Sequence, residues 1–506
     1  MRTPLAHSAR KNYPPQTYEA HVRGVCERAG KYAAEAECYS VKANGILSTI
    51  VRDSALLHDL GKLEERNQSV LCEQSRRRRH LPVDHTDAGS AALQKMGSGC
   101  AAMLVYSHHQ GLPDLSTEFA ARGCSIFRNG NAEVRAETDA ALPALLRQHE
   151  ALFPRKPNKE VQAYDGDPAV FLRMALSCLA DADHGDTAAA FGQTEKAMPE
   201  LRPQERLAAL DHYVSKFGET DERSSLRREL YQSCRSVEAH SGFSVCGSPV
   251  GSGKTTAVMA HLLEQACKRN ARRIFVVLPY TSIIRQSVDI YRKALVLPGE
   301  TPEDVVAELH SRADFEDIET RYLTALWRAP IVVTTAVAFF ETLSSHNPAA
   351  LRRLHELPGS LIFVDEAHSA LPLRLLPLAW HWMNVLSDEW SCYWVLASGS
   401  LVRYWELQPL SGLSMPRPEI AELVRPDLQR ELSRYESSRI TFRWREKPIG
   451  RKELAEWVQE APGPRLLILN TVQSAAVIVA DMAAEFGQTH VCLLYTSPSP
   501  RDRSVS

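Results

Sequence analysis

Histidines and aspartates in the first part of the chain form a set that could share metal ions. The set comprises His21, His58, Asp59, His85, His108, His109 and Asp183. The adjacent pair His58 and Asp59 lets an imidazole and a carboxylate face one ion, and the carboxylate can bridge to a second ion. Mixed nitrogen and oxygen ligands suit first-row divalent metals better than calcium. A lone histidine is more often an ordinary core or surface residue, so the predicted metal centre depends on the whole group.

A second set of residues has the spacing of a phosphate-binding loop. Residues 248–255 read Ser-Pro-Val-Gly-Ser-Gly-Lys-Thr and stand between a short apolar run and a helical pattern. Glycines let backbone N–H groups approach phosphates, Lys254 can reach the terminal phosphates, and the Thr255 hydroxyl can ligate magnesium. Ser248 replaces the glycine that opens the strict pattern. We therefore expect ATP and Mg²⁺ to bind at Gly251, Ser252, Gly253, Lys254 and Thr255.

Two carboxylates follow an apolar run farther along the chain. Asp365 and Glu366 come directly after the sequence Leu-Ile-Phe-Val at 361–364. In a phosphate-loop enzyme, a carboxylate at such a strand end holds the magnesium ion and its neighbour orients the attacking water. We assign these roles to Asp365 and Glu366 respectively.

The elements that must position the first set are helices. Ile46–Leu57, Ala91–Tyr106 and Ala169–Leu179 have apolar residues at helical spacing, and few β-branched runs interrupt residues 1–205. The charged segment 206–238 reads as a helical connector.

After this connector, short apolar runs alternate with helical patterns, which is typical of a parallel α/β sheet. These runs are Phe243–Val245, Ile274–Leu278, Ile331–Thr334, Leu361–Val364 and Trp394–Ala397. A further strand at Leu466–Leu469 and a helix at Val472–Phe486 suggest a second α/β unit.

The predicted fold class is multidomain: an all-α domain, then an α/β lobe and a fragment of a second α/β lobe. The predicted segments are 1–205 for the helical domain, 206–238 for the connector, 239–428 for the first lobe, 429–491 for the start of the second, and 492–506 for a tail.

Composition restricts the function classes. Of 506 residues, 44% are hydrophobic and 24% are charged, and the net charge of −2 excludes a basic field over the whole surface. Any nucleic-acid path must be local, and the run Arg76–Arg79 is as well explained by a solvated loop as by DNA contact. Eleven cysteines without a C-x-x-C pair indicate reduced thiols and a cytoplasmic protein. The most apolar long stretch, Ala370–Leu386, contains Arg374 and His381, so we expect no membrane span.

The first set of residues resembles a known family. Leu56–Lys62 reads Leu-Leu-His-Asp-Leu-Gly-Lys, the signature of HD-superfamily phosphohydrolases. Asp84–Gly89 and Ser107–Gly111 resemble more narrowly the HD nuclease domain of the helicase-nuclease of type I CRISPR interference. The resemblance implies two divalent transition-metal ions of the Mn, Fe, Co or Ni class, with Mg also possible.

By the same resemblance, one ion would be held by His21, His58, Asp59 and Asp183, and the second by Asp59, His85, His108 and His109. The choice of Asp183 over Asp181 stays open. Lys62 is a candidate phosphate contact beside the catalytic pair His58 and Asp59, although an exposed lysine would be the ordinary alternative.

The second set resembles the DEAH box of superfamily 2 helicases, through the sequence Asp-Glu-Ala-His at 365–368. Val277–Ser282 and Val333–Val337 look like strand-contacting motifs of that family, and Ser398–Ser400 replaces its usual Ser-Ala-Thr. The resemblance implies an ATP-dependent 3′-to-5′ DNA helicase coupled to a single-stranded DNA endonuclease and exonuclease. A guide-RNA surveillance complex would recruit it to invading DNA in a bacterial or archaeal cytoplasm.

The last part of the sequence suggests an incomplete motor. The resemblance implies that both α/β lobes are RecA-like, and a superfamily 2 motor takes a γ-phosphate arginine from the second lobe. No Gln-x-x-Gly-Arg-x-x-Arg element occurs in the sequence. We expect weak ATP binding and little unwinding by this chain. Residues 492–502 resemble a translated sequencing-library adaptor, and a natural Ser/Pro-rich tail is the alternative.

Two other functions remain open from the sequence. One is an HD phosphohydrolase acting on nucleotides, with a regulatory ATP-binding domain. The other is a non-catalytic, ATP-dependent DNA-binding protein.

Overall fold

The computed structural model describes residues 3–10, 12–73, 80–154, 157, 163–193, 196–309, 327–406, 420–460, 462–487 and 491. The run Arg76–Arg79 and the tail 492–506 lie outside these residues.

The N-terminal region is helical, as predicted. A short antiparallel pair, β1 (Leu5–His7) and β2 (Gln16–Thr17), precedes the helices. The helices are α1 (Tyr18–Glu37), α2 (Ile46–Leu57), α3 (Glu65–Cys72), α4 (His85–Lys95), α5 (Gly99–Gln110), α6 (Leu115–Arg122), α7 (Ala132–Leu152) and α8 (Pro168–Ala190).

Helices α1, α2 and α8 form the centre of this domain. Val22, Val25, Leu47 and Met174 are fully buried between them, and each such apolar side chain stabilises the fold by about 1.5–3 kcal/mol. Side-chain caps fix where the helices begin: Thr17 accepts from the backbone of Ala20 at the start of α1, and Asp167 caps α8. The buried apolar stripes thus determine which helix faces turn inward.

The single helix predicted over Ala91–Tyr106 is wrong. The structure has two helices there, because α4 ends at Lys95 and α5 begins at Gly99. Gly97 between them has φ +82°, a left-handed conformation that glycine adopts without steric cost. The break lets α5 run separately toward its terminal histidines.

The segment expected to connect the domains contains two helices, α9 (Pro203–Ser215) and α10 (Glu222–Ser236). Their apolar residues Leu210 and Leu230 are fully buried in the same cluster as Leu262 of helix α11 (Lys254–Arg269). These helices therefore form an outer layer of the α/β lobe.

The α/β lobe is built on one parallel sheet of seven strands with the order β5-β6-β4-β7-β8-β3-β9. The strands are β3 (Phe243–Gly247), β4 (Ile274–Leu278), β5 (Val306–Leu309), β6 (Ile331–Thr335), β7 (Leu361–Asp365), β8 (Tyr393–Ser398) and β9 (Ala421–Glu422). The five predicted apolar runs all form strands, whereas β5 and β9 were not predicted. Because β8 pairs with both β3 and β7, the carboxyl ends of these three strands meet at one edge of the sheet.

In the described residues, five further helices stand between strands of this sheet, and α17 (Pro426–Ser438) follows β9. The five are α12 (Thr281–Leu295), α13 (Pro302–Val305), α14 (Ala336–Ser344), α15 (Pro348–Leu351) and α16 (Leu376–Trp390). The chain divides into two compact units, Met1–Glu436 and Ser437–Ser506. In the described residues, no helix is both long and apolar enough to cross a lipid bilayer.

The second unit contains helices α18 (Arg451–Glu460) and α19 (Val472–Phe486). The predicted helix at Val472–Phe486 is confirmed to the residue. The predicted strand at Leu466–Leu469 is wrong: Leu466 is 72% exposed and Ile468 is 80% exposed. A strand needs a neighbour for its backbone hydrogen bonds, and the described part of this unit supplies none.

Candidate functional site

Five helices bring all seven predicted metal-ligand residues together. His21 lies within α1, His58 and Asp59 follow the end of α2, His85 begins α4, His108 and His109 lie in the last turn of α5, and Asp183 lies on α8. Their ligand atoms form two groups, each within 4.8 Å: His21, His58 and Asp183, and separately His85, His108 and His109.

Asp59 lies between the two groups. Its Oδ2 is 3.1 Å from Nε2 of His21 and 3.4 Å from Nε2 of His58, and its Oδ1 is 3.7 Å from Nε2 of His85. The carboxylate is almost fully buried. Its two oxygens therefore face one group each, which is the geometry of a bridging ligand.

Backbone carbonyls set the orientation of two imidazoles. Nδ1 of His58 donates to the carbonyl of Ala55 at 2.8 Å, and Nδ1 of His108 donates to that of Val105 at 2.6 Å. A carbonyl oxygen only accepts, so the proton is on Nδ1 and the Nε2 lone pair faces the centre. Nε2 of His108 is buried and has no hydrogen-bond partner within the described structure. An unsatisfied acceptor among inward-facing imidazoles and carboxylates fits a divalent cation.

The electrostatics of the site keep most of the imidazoles neutral. Burial lowers the pKa of His85 to about 4, and burial together with the neighbouring His58 lowers the pKa of His108 to about 4. The neighbouring His108, followed by burial, lowers the pKa of His109 to about 3. Neutral imidazoles are the form that binds metal ions. His21 differs: burial alone would lower its pKa, but the hydrogen bonds that it donates to Asp183, Asp186 and Asp59 raise the pKa to about 10.

Lys62 is buried beside Asp59, which contradicts the exposed-lysine alternative. Its Nζ lies 2.6 Å from Oδ2 of Asp59. Burial alone would raise the pKa of Asp59, but Lys62 and His58 hold that pKa well below its usual range. Asp59 is therefore a carboxylate at neutral pH.

The structure brings Asp183, and not Asp181, to the centre. Oδ1 of Asp183 lies 3.3 Å from Nε2 of His21. Asp181 points to the α/β lobe, where Arg328 and Arg352 contact its carboxylate at 2.7 and 2.8 Å.

The sequence analysis missed Asp186. Its Oδ2 accepts from Nδ1 of His21 at 2.7 Å. The available signal was spacing, since Asp183 and Asp186 are three residues apart and so share one face of a helix.

The predicted phosphate loop links β3 to α11 at the carboxyl edge of the sheet. Gly251 and Gly253 have φ values of +84° and +88°, which keep this loop in a conformation that side-chain-bearing residues rarely adopt. Arg227 of α10 donates to the carbonyl of Gly251 from Nε at 2.9 Å and from Nη2 at 2.7 Å. Lys254 and Thr255 are the first two residues of α11.

The acidic pair faces this loop. Nζ of Lys254 lies 2.9 Å from Oδ1 of Asp365 and 3.3 Å from Oε1 of Glu366. Glu366 has φ +49°, a strained conformation for a residue with a side chain. Burial alone would raise the pKa of Glu366, but the Ser398 hydroxyl and Lys254 lower it.

Ser398 connects the acidic pair to the end of β8. Its hydroxyl donates to Oε2 of Glu366 at 2.7 Å and lies 2.9 Å from Nδ1 of His368. The segment Ser398–Ser400, identified from its position in the sequence, is therefore in contact with the predicted hydrolytic carboxylate.

Comparison with known proteins agrees with this arrangement. Residues 231–375 match the DEAD/DEAH box helicase family model. This part of the chain is a RecA-like helicase domain. The predicted fold, a helical region followed by a parallel α/β helicase lobe, is confirmed. A search of curated proteins found no match.

Solved structures give weaker likenesses. Crystal structures of T. fusca Cas3 with AMPPNP and with ADP match at 18% and 19% identity, each with a TM-score of 0.47, covering 79% of this chain and 51% of theirs. The Pyrococcus furiosus Hef helicase domain matches at 19% identity with a TM-score of 0.28, covering 40% of this chain and 39% of that domain. The chain thus spans about half the length of the T. fusca structures.

Proposed function

We propose that the helical domain is a metal-dependent phosphodiesterase that cuts single-stranded DNA. The observation that carries this proposal is the buried Asp59 carboxylate between two groups of three ligand atoms. Imidazole and carboxylate donors suit two ions of the Mn, Fe, Co or Ni class, with Mg also possible. Such a pair of ions, when bound, supplies Lewis acidity toward the oxygens of a phosphodiester.

The residues of the chain have separate roles in this proposal. His21, His58 and Asp183 would hold one ion, His85, His108 and His109 would hold the other, and Asp59 would contact both. Lys62 fixes the Asp59 carboxylate through their 2.6 Å contact and offers a cation to a substrate phosphate. The backbone acceptors of His58 and His108 keep both rings directed inward.

We propose that the helicase domain binds ATP and Mg²⁺ at Gly251, Ser252, Gly253, Lys254 and Thr255. Asp365 would ligate the magnesium ion, and Glu366, held by the Ser398 hydroxyl, would orient the attacking water. The resemblance stated from the sequence extends this proposal to 3′-to-5′ movement on DNA. It also extends the proposal to recruitment by a guide-RNA complex in the cytoplasm of a bacterium or archaeon.

Circular single-stranded DNA tests the nuclease proposal. We expect the chelator-treated 506-residue chain, resupplied with Mn²⁺, to convert circles to linear fragments on a denaturing gel. His58→Ala and Asp59→Ala should abolish this cutting, whereas the exposed control His240→Ala should retain it. Intact circles together with hydrolysis of free nucleotides would instead indicate a nucleotide phosphohydrolase. Unchanged cutting by His58→Ala and Asp59→Ala would show that this centre is not the nuclease site.

A further inference from the structure

The imidazoles of the metal centre are not all held in the same way. His58 and His108 donate from Nδ1 to neutral backbone carbonyls. His21 donates from Nδ1 to a carboxylate oxygen of Asp186 at 2.7 Å. Within the described residues of the two groups, no other histidine has its Nδ1 paired with a carboxylate. The group of His21, His58 and Asp183 therefore has a carboxylate hydrogen-bonded to the outer nitrogen of one imidazole, and the other group has none among the described residues.

Three elements hold the Asp186 carboxylate in this position. Asp186 itself is on α8, and Nε2 of Gln16 from β2 donates to the same Oδ2 at 2.7 Å. Gly24 of α1 leaves room for the other oxygen, because a Cβ at that position would come within 1.9 Å of Oδ1. The carboxylate is buried. Its contact with His21 is thus part of the packing of the domain and not a chance surface pairing.

The contact determines which nitrogen of His21 faces the centre. With Nδ1 held by Asp186, Nε2 points to the centre, where it lies 3.1 Å from Oδ2 of Asp59 and 3.3 Å from Oδ1 of Asp183. An ion bound by this group would take the place of the Nε2 proton. A carboxylate behind a ligating histidine also makes the imidazole a stronger donor to a cation, and loss of such a partner lowers metal affinity by about 10- to 100-fold.

We propose that Asp186 is a positioning residue that makes the group His21, His58 and Asp183 the tighter of the two ion sites. This inference rests on the proposed metal centre. It further implies that the two sites load in order, with the group His85, His108 and His109 filling at higher ion concentration.

Metal titration of the intact chain tests the proposal. The chelator-treated protein is titrated with Mn²⁺ by calorimetry and with Co²⁺ by visible absorption, which distinguishes sites by their ligand field. The wild-type chain should bind two equivalents with unequal affinity. Asp186→Asn, which keeps shape but loses charge, should weaken the first equivalent by about 10-fold, and Asp186→Ala by up to about 100-fold.

Three further variants separate this role from a general structural one. Glu27→Gln makes the same loss of charge at an exposed position of α1 and should leave both affinities unchanged. His85→Ala should weaken binding of the second equivalent, which would assign that equivalent to the group His85, His108 and His109. Gly24→Ala displaces the carboxylate without changing charge and should weaken the same equivalent as Asp186→Asn, which covers the case in which Asp186→Ala fails to fold.

The outcomes are distinguishable from those of the nuclease test. Two equivalents bound with unequal affinity, the tighter one weakened in Asp186→Asn, together with no cutting of DNA, would overturn the proposed function and leave the role of Asp186 standing. Normal cutting with unchanged affinities in Asp186→Asn and Gly24→Ala would overturn the role of Asp186, as would equal weakening of both equivalents. A wild-type chain that binds no Mn²⁺ or Co²⁺ would overturn both.

Discussion

Glu356 holds together a set of buried cations in the α/β lobe, and its replacement by glutamine should destabilise the protein strongly. Its Oε2 lies 3.0 Å from Nη2 of Arg272 and 2.7 Å from Nη2 of Arg273, and its Oε1 lies 3.4 Å from Nε of Arg328. The glutamate is 4% exposed. Nδ1 of the neighbouring His355 lies 3.0 Å from the hydroxyl of Ser177 on α8, so the cluster also touches the helical domain.

The expected magnitude follows from the burial of the partners. Removing one member of a buried ion pair costs about 3–5 kcal/mol, because the opposite charge stays buried without compensation. Glu356→Gln leaves Arg273, whose guanidinium is mostly buried, facing a neutral amide. We expect the free energy of unfolding to fall by an amount near the middle of that range. The fall is limited because Arg272 still pairs with Glu35 at 3.2 Å and Arg328 still pairs with Asp181 at 2.7 Å.

The measurement is urea unfolding of the wild-type and Glu356→Gln chains, followed by tryptophan fluorescence across a range of pH. Burial alone would raise the pKa of Glu356, but Arg273, His355 and Arg272 lower it well below the usual value. A lowered folded-state pKa means that the stabilisation is fully present above the ordinary glutamate pKa of about 4.3 and is lost as pH falls below it. The difference between the two chains should therefore be constant near neutral pH and shrink in acid.

A difference below about 1 kcal/mol at neutral pH, which is the value of a surface ion pair, would refute this reasoning. A difference that grows as the pH falls from 5 would refute the sign of the pKa shift. The exposed pair of Arg66 and Glu137 gives the control, because Glu137→Gln should change stability by well under 1 kcal/mol.

Three predictions concern the nucleotide site. Lys254→Ala should abolish binding of a fluorescent ATP analogue, since it removes the cation at the phosphates, and retained affinity would contradict the assignment. Arg227→Ala should weaken ATP binding about fivefold, because it releases the carbonyl of Gly251 from two exposed hydrogen bonds, each at the lower end of the range of about 0.5–1.5 kcal/mol. Ser398→Ala should leave ATP affinity unchanged but slow ATP hydrolysis about tenfold, which is equivalent to the loss of one hydrogen bond to Glu366. An unchanged rate in a phosphate-release assay would exclude a role for Ser398 in holding Glu366.

The most reliable sequence predictions were of helices and strands that local hydrophobic pattern determines. The helix Ile46–Leu57 and the strand Ile274–Leu278 have the predicted bounds because their apolar spacing matches the observed buried faces. The predicted strand at Leu466–Leu469 has the right composition, but strand formation depends on a pairing partner that local sequence does not encode. The break at Gly97 was missed because apolar residues continue on both sides of it.

For the candidate site, too, local sequence predicted the motif residues but not the contacts that depend on tertiary packing. All seven metal-ligand candidates converge, because motif spacing identifies residues whose positions the fold then fixes. The burial of Lys62 could not be read from the sequence, since a lysine one turn past a helix end is usually exposed. The contact between Arg227 and Gly251 depends on α10 lying against the phosphate loop, and nothing in the local sequence indicates that packing.

Helix α8 contributes side chains to both the proposed metal centre and the α/β lobe. Each residue of an α-helix turns by about 100°, so Asp181 and Asp183 are about 200° apart and point to opposite sides, while Asp186 returns to the side of Asp183. Accordingly, Asp181 pairs with Arg328 and Arg352, whereas Asp183 and Asp186 both contact His21. A shift of α8 that loosened Asp181 from the lobe would therefore also move two carboxylates at the proposed metal centre. The geometry of one helix thus makes the position of the candidate ion ligands depend on the packing of the two domains.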